Sequence, residues 1–98
     1  MNSNMNSEYP TEEQLEKITA WPALEFYGLM EYIKPIWMYA DSNYWTEENG
    51  EYHISTGGWS GNEEIIEAMQ QNYIWWATFW QSAERGGHFK FRDTRGER

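Results

Sequence analysis

The chain has 98 residues and no cysteine, 18% of its residues are aromatic, and its formal charge is −9. A chain this short forms a single domain, and the lack of cysteine excludes a disulfide scaffold, a thiolate zinc site and a cysteine nucleophile. No apolar run approaches the roughly 20 residues that a membrane span needs, and residues 1–7 have no basic or apolar leader region, so we expect a soluble intracellular domain that avoids the membrane.

The N-terminal part predicts an arm followed by a first helix. Residues 1–8 are polar, and we expect them to form a mobile arm. Thr11 and Gln14 have the spacing of a capping box, in which each side chain binds the backbone amide of the other residue. The helix that begins there is predicted to end at Trp21-Pro22, because the residue before a proline is forced out of the helical conformation.

A second helix is predicted to begin with Pro22, which suits the first turn of a helix. Its apolar residues recur at helical spacing on one face, and they are Phe26, Leu29, Met30, Ile33 and Trp37. Pro35 lies within this stripe and predicts a kink, or a new start near Lys34, because proline removes a backbone hydrogen bond. The polar run 41–43 predicts the end of the helical region.

A β-hairpin and a second capping box are predicted next. Asn49-Gly50 is a strong signal for a two-residue hairpin turn, since both positions need a positive φ. The residues from 44 to 55 around it are rich in types that favour strands. A glycine-rich link then leads to Ser60 and Glu63, which have capping-box spacing, with Asn62 as an alternative cap for the same helix.

One long helix is predicted from Ser60 to Arg85, with Gly86 as its C-cap. Its main apolar stripe consists of Ile65, Met69, Tyr73, Trp76, Trp80 and Ala83. Trp75 and Phe79 lie off that stripe, so the helix is either buried on two sides or exposes this pair on a binding surface. Burial is the favoured interpretation, because large exposed apolar patches are rare on monomers.

The C-terminal part completes the predicted fold. Residues 88–92 alternate polar and apolar residues, which predicts a half-buried strand with its phenylalanines toward the core. If this strand neighbours residues 51–55, a right-handed crossover places the two strands parallel. The predicted class is α+β, with two N-terminal helical segments, a hairpin, one long Trp-rich helix and a last strand that completes a roughly three-stranded sheet. This domain spans residues 9–92, and residues 93–98 form a frayed charged tail.

Charge is divided unevenly along the chain. Residues 1–84 hold two basic and fourteen acidic side chains, whereas residues 85–98 hold five basic and two acidic ones. An acidic body repels phosphate, which argues against duplex nucleic acid as a partner, and it favours a protein partner with a basic surface. The alternative is that the negative charge only keeps a Trp-rich protein in solution.

Two glycine-rich segments are the most distinctive motifs. Residues 55–63 lead from a strand into a helix, a geometry that can bind an anion. They contain neither Gly-x-x-x-x-Gly-Lys nor Gly-x-Gly-x-x-Gly, and Glu63 repels phosphate. The second segment, residues 85–88, lies at the far end of the predicted helix. The axial distance from Gly61 to Arg85 would be about 36 Å, so we expect that the two segments do not form one site.

Catalytic and metal sites find little support in the sequence. His53 and His88 are the two histidines, and the carboxylates show no ligand spacing on a helix face, so no metal and no cofactor are expected. A triad that uses His53 with Ser55 or Ser60 and a carboxylate is recognisable only by its geometry. Enzymatic activity is therefore not the favoured interpretation.

The glycine-rich segments also carry a resemblance. They read STGGWSGNE at 55–63 and RGGHFKF at 85–91, with Trp76 and Trp80 between them. This pattern resembles a family of small, uncharacterised proteins of tailed bacteriophages and prophages, and the likeness covers most of the chain. The resemblance implies a phage origin and a location in the host cytoplasm. It brings no assigned activity and no catalytic residue.

Binding of another protein is the favoured function, as a small acidic phage accessory protein that acts, for instance, by blocking a host or defence factor. Acidic helix residues would steer a basic target toward the chain, and exposed aromatic side chains would anchor it. A second hypothesis is a small-ligand-binding protein or small enzyme that uses the 55–63 loop, and a third is a self-associating virion component or assembly factor. The candidate binding residues are Trp59, Ser60, Asn62, Glu63, Glu64, Glu67, Trp75, Phe79, Arg85 and His88.

Overall fold

The structure, a computed structural model, describes residues 9–93 and residue 95. The helices of this part are α1 (Glu12–Thr19), α2 (Phe26–Ile33), α3 (Ser60–Gln71) and α4 (Tyr73–Phe79). Its strands are β1 (Trp45–Glu48), β2 (Glu51–Ser55), β3 (Trp80–Glu84) and β4 (His88–Arg92). The arm predicted for residues 1–8 lies outside the described residues, as do residues 94 and 96–98 of the predicted tail.

In the described part of the chain, four strands form one antiparallel sheet in the order β1-β2-β4-β3. The α+β class is confirmed, although the sheet has one strand more than the three predicted. The hairpin of β1 and β2 is also confirmed, because Asn49 and Gly50 form its turn with φ values of 55° and 79°. The apolar stripe predicted for the second helix is buried as expected.

The predicted parallel pairing of the last strand is wrong. β4 runs antiparallel to β2, with Ser55 opposite His88 and Glu51 opposite Arg92. The prediction assumed that a helix leads directly into this strand, whereas β3 precedes it and the turn at residues 85–87 reverses the chain. Gly86 therefore serves a hairpin turn with a φ of 83°, and its predicted role as a helix C-cap is wrong.

The predicted unbroken helix from Ser60 to Arg85 is also wrong, because it is interrupted at Asn72 and gives way to strand β3 after Phe79. The backbone of Asn72 leaves the helical region, with φ −87° and ψ 70°. Its buried side-chain amide donates hydrogen bonds to the backbone oxygens of Ile18 at 3.2 Å and Trp21 at 2.9 Å. These two bonds satisfy the buried amide and hold the interruption against the end of α1.

The interruption changes which face of the following helix is buried. Trp75 and Phe79, which lie off the predicted stripe, are both 0% exposed, whereas Tyr73 on that stripe is 74% exposed. The indole Nε1 of Trp75 donates to the Glu25 backbone oxygen at 3.1 Å, and its ring stacks on Phe26 at a centroid distance of 5.7 Å. The stripe of α3 thus does not continue into α4, since the two helices have different rotational phases.

Helix starts were predicted with mixed success. The first capping box is confirmed, because the Gln14 amide donates to the Thr11 hydroxyl at 3.0 Å and the Thr11 amide donates to Gln14 Oε1 at 2.8 Å. The second is wrong, because α3 has Trp59 at its N-cap without a side-chain bond. Pro22 does not begin α2, whose N-cap is Glu25. Beyond α2, the 3-10 turn Lys34–Ile36 matches the new start predicted near Lys34, one of the two outcomes expected from Pro35.

Candidate functional site

The two glycine-rich segments lie side by side, which corrects the expectation that they are far apart. The Thr56 amide donates to the Gly87 backbone oxygen at 3.0 Å, and Ser55 is the register partner of His88. The expected separation of about 36 Å assumed a straight helix, but the chain breaks at Asn72 and returns along β3 and β4. The segments meet at the end of the β2–β4 pair, and backbone pairing explains their contact.

Three predicted binding residues at the start of α3 have structural contacts. The Trp59 ring is half-buried and lies 5.1 Å from the Tyr9 ring, and the Ser60 hydroxyl is 3.2 Å from the Tyr9 hydroxyl. Asn62 is only 1% exposed. Its side chain accepts from the Met38 amide at 2.9 Å and donates to the Met38 oxygen at 3.1 Å. Asn62 therefore fastens the segment after α2 to α3 and is not available to a partner.

Trp75 and Phe79 cannot be surface anchors, which corrects their assignment as candidate binding residues. Both side chains are fully buried, with their rings 5.2 Å apart. Phe26 contacts both of them, and Phe91 of β4 contacts Trp75. This aromatic cluster joins α2, α4 and the sheet, so its role is to form the core.

His88 and Arg85 lie at the β3–β4 end of the sheet, and both are exposed. His88 lines a cleft of about 250 Å³ together with His53, Glu84 and Lys90. The Lys90 ammonium is 3.7 Å from the Glu84 carboxylate. Pockets that bind small molecules are usually about 300–1,000 Å³, so this cleft offers less room than the small-ligand or enzyme hypothesis requires.

The triad considered for His53 with Ser55 or Ser60 is not assembled among the described side chains. His53 Nε2 lies 2.9 Å from a Glu51 carboxylate oxygen, but the Ser55 hydroxyl accepts a hydrogen bond from the Gly57 amide at 3.3 Å. Ser60 lies on α3 beside Tyr9. A nucleophile must be bonded to its base, and the described hydrogen bonds of these serines lead elsewhere.

A groove between α1 and α3 gathers four carboxylates, and we name it the acidic groove. Its volume is about 570 Å³. Glu12 and Glu16 line it from α1, and Glu64 and Glu67 line it from α3. Two further lining residues are apolar, namely the half-buried Leu15 and the buried Ala68. The groove can therefore offer negative charge at its walls and apolar contact between them.

Local contacts hold the two helices of the acidic groove in place. The capping box described above begins α1 immediately before Glu12. At the other end of the helix, the Thr19 hydroxyl donates to the Ala68 backbone oxygen at 3.2 Å, and Asn72 binds the end of α1 as described. Glu12 and Glu16 are four residues apart on α1, so their side chains lie on the same face.

No described side chain neutralises the negative charge of the acidic groove by a salt bridge. Within residues 9–93 and residue 95, none of its four glutamates forms a salt bridge. The two lysines of the acidic body are engaged elsewhere. The Lys17 ammonium lies over the rings of Trp21 and Tyr32, at 5.8 and 4.9 Å from their centroids, and Lys34 pairs with Glu47 at 3.3 Å.

Part of the basic C-terminal segment pairs with an acidic residue of the same segment, Asp93. The Arg95 guanidinium donates to both oxygens of Asp93 at 2.9 Å. These hydrogen bonds lower the pKa of the Asp93 carboxyl below its usual value. Arg95 is thus held by a residue of its own segment rather than by the acidic groove.

The carboxylates of the acidic groove are spread along it. In the part of the chain that the structure describes, no three His, Cys, Asp or Glu side chains converge as ligands of a metal ion would. An extended cationic partner, with several separate charges, fits such a distribution better than a single ion does.

Of the acidic helix residues predicted to steer a partner, Glu63, Glu64 and Glu67, only a part lines the acidic groove. Glu64 and Glu67 belong to it, whereas Glu63 is exposed on the same helix but does not line it. Glu12 and Glu16 were not predicted as site residues. Their spacing shows that they share a face of α1, but only the packing of α1 on α3 shows that this face borders the other two glutamates.

No family model, curated protein or solved structure matches the chain. The resemblance to phage proteins therefore stays a prediction. None of the described helices is long and apolar enough to cross a membrane.

Proposed function

We propose that the chain is a small acidic phage accessory protein that binds a Lys/Arg-rich segment of a host or defence protein in the host cytoplasm. The acidic groove is the proposed binding site. The observation that carries this proposal is the set of four glutamates on its walls, none of them paired with a described cation, around apolar lining residues. The net charge of −9 would steer a basic partner toward it.

The spacing of the carboxylates suits such a segment. Glu64 and Glu67 are three residues apart on α3, and Glu12 and Glu16 are four apart on α1. Basic side chains at the same intervals on a partner helix would reach the carboxylates of one wall. The aliphatic stems of lysine or arginine would cover Leu15 and Ala68 while the charged groups remain in water.

Ion pairs alone would bind this partner weakly. An exposed ion pair contributes about 0.2–1 kcal/mol, so four pairs supply at most about 4 kcal/mol, whereas micromolar affinity requires about 8 kcal/mol. Apolar contact within the acidic groove must supply the remainder. We therefore expect a partner segment in which basic and apolar residues are combined.

The test compares two variants with equal net charge. Glu64→Gln with Glu67→Gln removes two charges from the acidic groove, and Glu13→Gln with Glu48→Gln removes two exposed charges outside its lining. A synthetic amphipathic Lys/Arg-rich helical peptide is titrated against each variant at low and high salt. We expect the groove variant to bind about tenfold more weakly, as the loss of two pairs predicts, the control to bind as the parent does, and salt to weaken parental binding.

Two results would contradict the proposal. Equal weakening of peptide binding in both variants would show that only total charge matters. A peptide that does not bind the parent chain at low salt would show that the acidic groove does not bind basic segments. Affinity capture from host lysate with both variants then identifies the natural partner. A small metabolite that raises the melting temperature, with the gain lost in His88→Ala, would favour the small-ligand alternative at the sheet cleft.

A further inference from the structure

The turn between β1 and β2 consists of Asn49 and Gly50, a pair whose side chain and backbone can react with each other. Asparagine is among the chemically labile residues. When glycine follows it, the glycine backbone nitrogen can attack the asparagine side-chain amide, because the glycine has no side chain to hinder a close approach. Asn49 is the one asparagine of the sequence that glycine follows. The turn is therefore the position where this attack meets the least steric hindrance.

The turn leaves both reacting groups open to water. Asn49 and Gly50 are exposed, and a Cβ atom added to Gly50 would meet nothing within 4 Å. Among the described residues, no hydrogen bond holds the Asn49 side chain or the Gly50 amide. The side-chain amide is thus free to turn toward the nitrogen that would attack it.

The other described asparagines each lack one of these features. Asn62 and Asn72 are buried, and their side-chain amides donate hydrogen bonds to backbone oxygens. Asn43 is exposed and has a positive φ of 71°, much as Asn49 has a φ of 55°, but Tyr44 follows it. Asn43 matches Asn49 in exposure and backbone conformation and differs in the next residue, which makes it an internal control.

We propose that Asn49 is a site of spontaneous deamidation, which changes the turn slowly and without an enzyme. The Gly50 nitrogen loses its proton and bonds to Cγ of Asn49, the bond from Cγ to Nδ2 breaks, and Nδ2 leaves as ammonia with that proton. Water then opens the resulting cyclic imide. Attack at Cγ gives aspartate, whereas attack at the backbone carbonyl carbon of residue 49 gives isoaspartate. Nothing is oxidised or reduced, and each product adds one negative charge to the chain.

Isoaspartate alters the geometry of the turn, because the main chain then runs through Cβ and Cγ of residue 49. A two-residue hairpin loop fixes the register of its strands through its positive φ angles. In this hairpin the loop places Glu48 opposite Glu51. An isoaspartyl residue does not supply this geometry, whereas aspartate keeps it, since Asp-Gly also favours such a turn.

The strand that depends on this turn is β1. It is an edge strand of the described sheet and pairs with β2 alone. It carries Trp45, which is 5% exposed and whose ring lies 5.8 Å from the Trp37 ring and 6.0 Å from the Tyr52 ring. We expect isoaspartate to loosen β1 and the packing of Trp45, and aspartate to add only its charge.

The first test follows each asparagine by peptide mapping with mass spectrometry while the folded full chain is incubated in mildly alkaline or mildly acidic buffer. The map also resolves the two Asn-Ser pairs of residues 1–8. We expect modification at Asn49 to proceed at least about tenfold faster than at Asn43, and faster in alkaline buffer because the attacking nitrogen must lose its proton. Asn49→Gly should keep the hairpin, since Gly-Gly also accepts a positive φ at both positions, and release less ammonia than the parent.

The second test measures the effect on β1. Ion exchange isolates the aged chains by their added charge, and those that carry isoaspartate should unfold at a lower urea concentration than freshly prepared Asn49→Asp, which should unfold close to the parent. Modification at Asn49 that is no faster than at Asn43, or that occurs only after urea unfolds the chain, would overturn the site. Isoaspartyl chains that unfold together with Asn49→Asp would overturn the effect on β1. Neither result bears on the acidic groove.

Discussion

At the scale of single residues, the glycine-rich motifs are explained by backbone geometry. Gly87 has a φ of 78°, and a Cβ atom at this position would collide with the Thr56 hydroxyl oxygen. The Gly87 oxygen also accepts the hydrogen bond from the Thr56 amide. Gly58 has a similar φ of 76°, but a Cβ atom there would meet nothing within 4 Å. The two glycines therefore share a backbone conformation and differ in the space around them.

This difference gives a matched pair of variants. Gly58→Ala should lower the free energy of unfolding by about 1–2 kcal/mol, the cost of a left-handed conformation for a residue with a Cβ. Gly87→Ala should lose about 1–3 kcal/mol more, because its methyl group also displaces Thr56. Urea unfolding of both variants measures the difference. Equal losses would show that the glycine-rich segments do not pack against each other as described.

Asn62 shows why a local motif can be misread. Its position near the start of α3 suggested a helix cap, since Asn is a preferred capping residue. The same amide instead holds both backbone groups of Met38, 24 residues earlier in the sequence. A buried amide forms the bonds that its surroundings offer, and the sequence near Asn62 contains no sign of Met38.

At the scale of elements, predictions succeeded where the signal and its effect lie within a few residues. The capping box of Thr11, the turn at Asn49-Gly50 and the strand at residues 88–92 are of this kind. The long helix failed because its apolar residues keep helical spacing through the interruption at Asn72. At this interruption Asn72 binds the end of α1, a contact between distant segments that periodicity cannot reveal.

The change of face between α3 and α4 can be tested with two residues that lie two positions apart on α4. Trp75→Ala should lower the free energy of unfolding by about 3–5 kcal/mol, because the side chain is fully buried. Tyr73→Ala, which alters a side chain that is 74% exposed, should change it by less than about 0.5 kcal/mol. Urea unfolding of both variants measures the difference. A larger loss of unfolding free energy in Tyr73→Ala than in Trp75→Ala would support the uninterrupted helix that the sequence predicts.

At the scale of the whole molecule, segments that are distant in sequence assemble both the sheet and the candidate site. The acidic groove needs α1 and α3, which are separated by α2 and the first hairpin. Sequence patterns grouped Glu63, Glu64 and Glu67 on one helix, but they contain no information on the packing that leaves out Glu63 and adds Glu12 and Glu16. The fold class was predictable because it depends on the types of elements, whereas the groove depends on their arrangement.

The position of the last strand has the largest consequence for folding. β4 is the last element of the described chain, yet it lies between β2 and β3 in the sheet. Its Phe91 is 0% exposed and contacts Trp75 at a centroid distance of 5.6 Å. Without β4, both neighbouring strands lose a partner and the aromatic core loses one wall, so native packing must wait for the C-terminal segment.

A divided chain tests this dependence. The fragment of residues 1–85 should show no cooperative unfolding, because the core that remains cannot offset the entropy of ordering the chain. Addition of a synthetic peptide of residues 86–98 should restore the near-ultraviolet circular dichroism of the packed tryptophans. The same peptide with Phe91→Ala should fail at equal concentration, since the loss of a buried phenylalanine costs about 3–5 kcal/mol. A fragment 1–85 that unfolds cooperatively by itself would mean that helices and remaining strands already form a complete core, and that the central strand joins a finished structure.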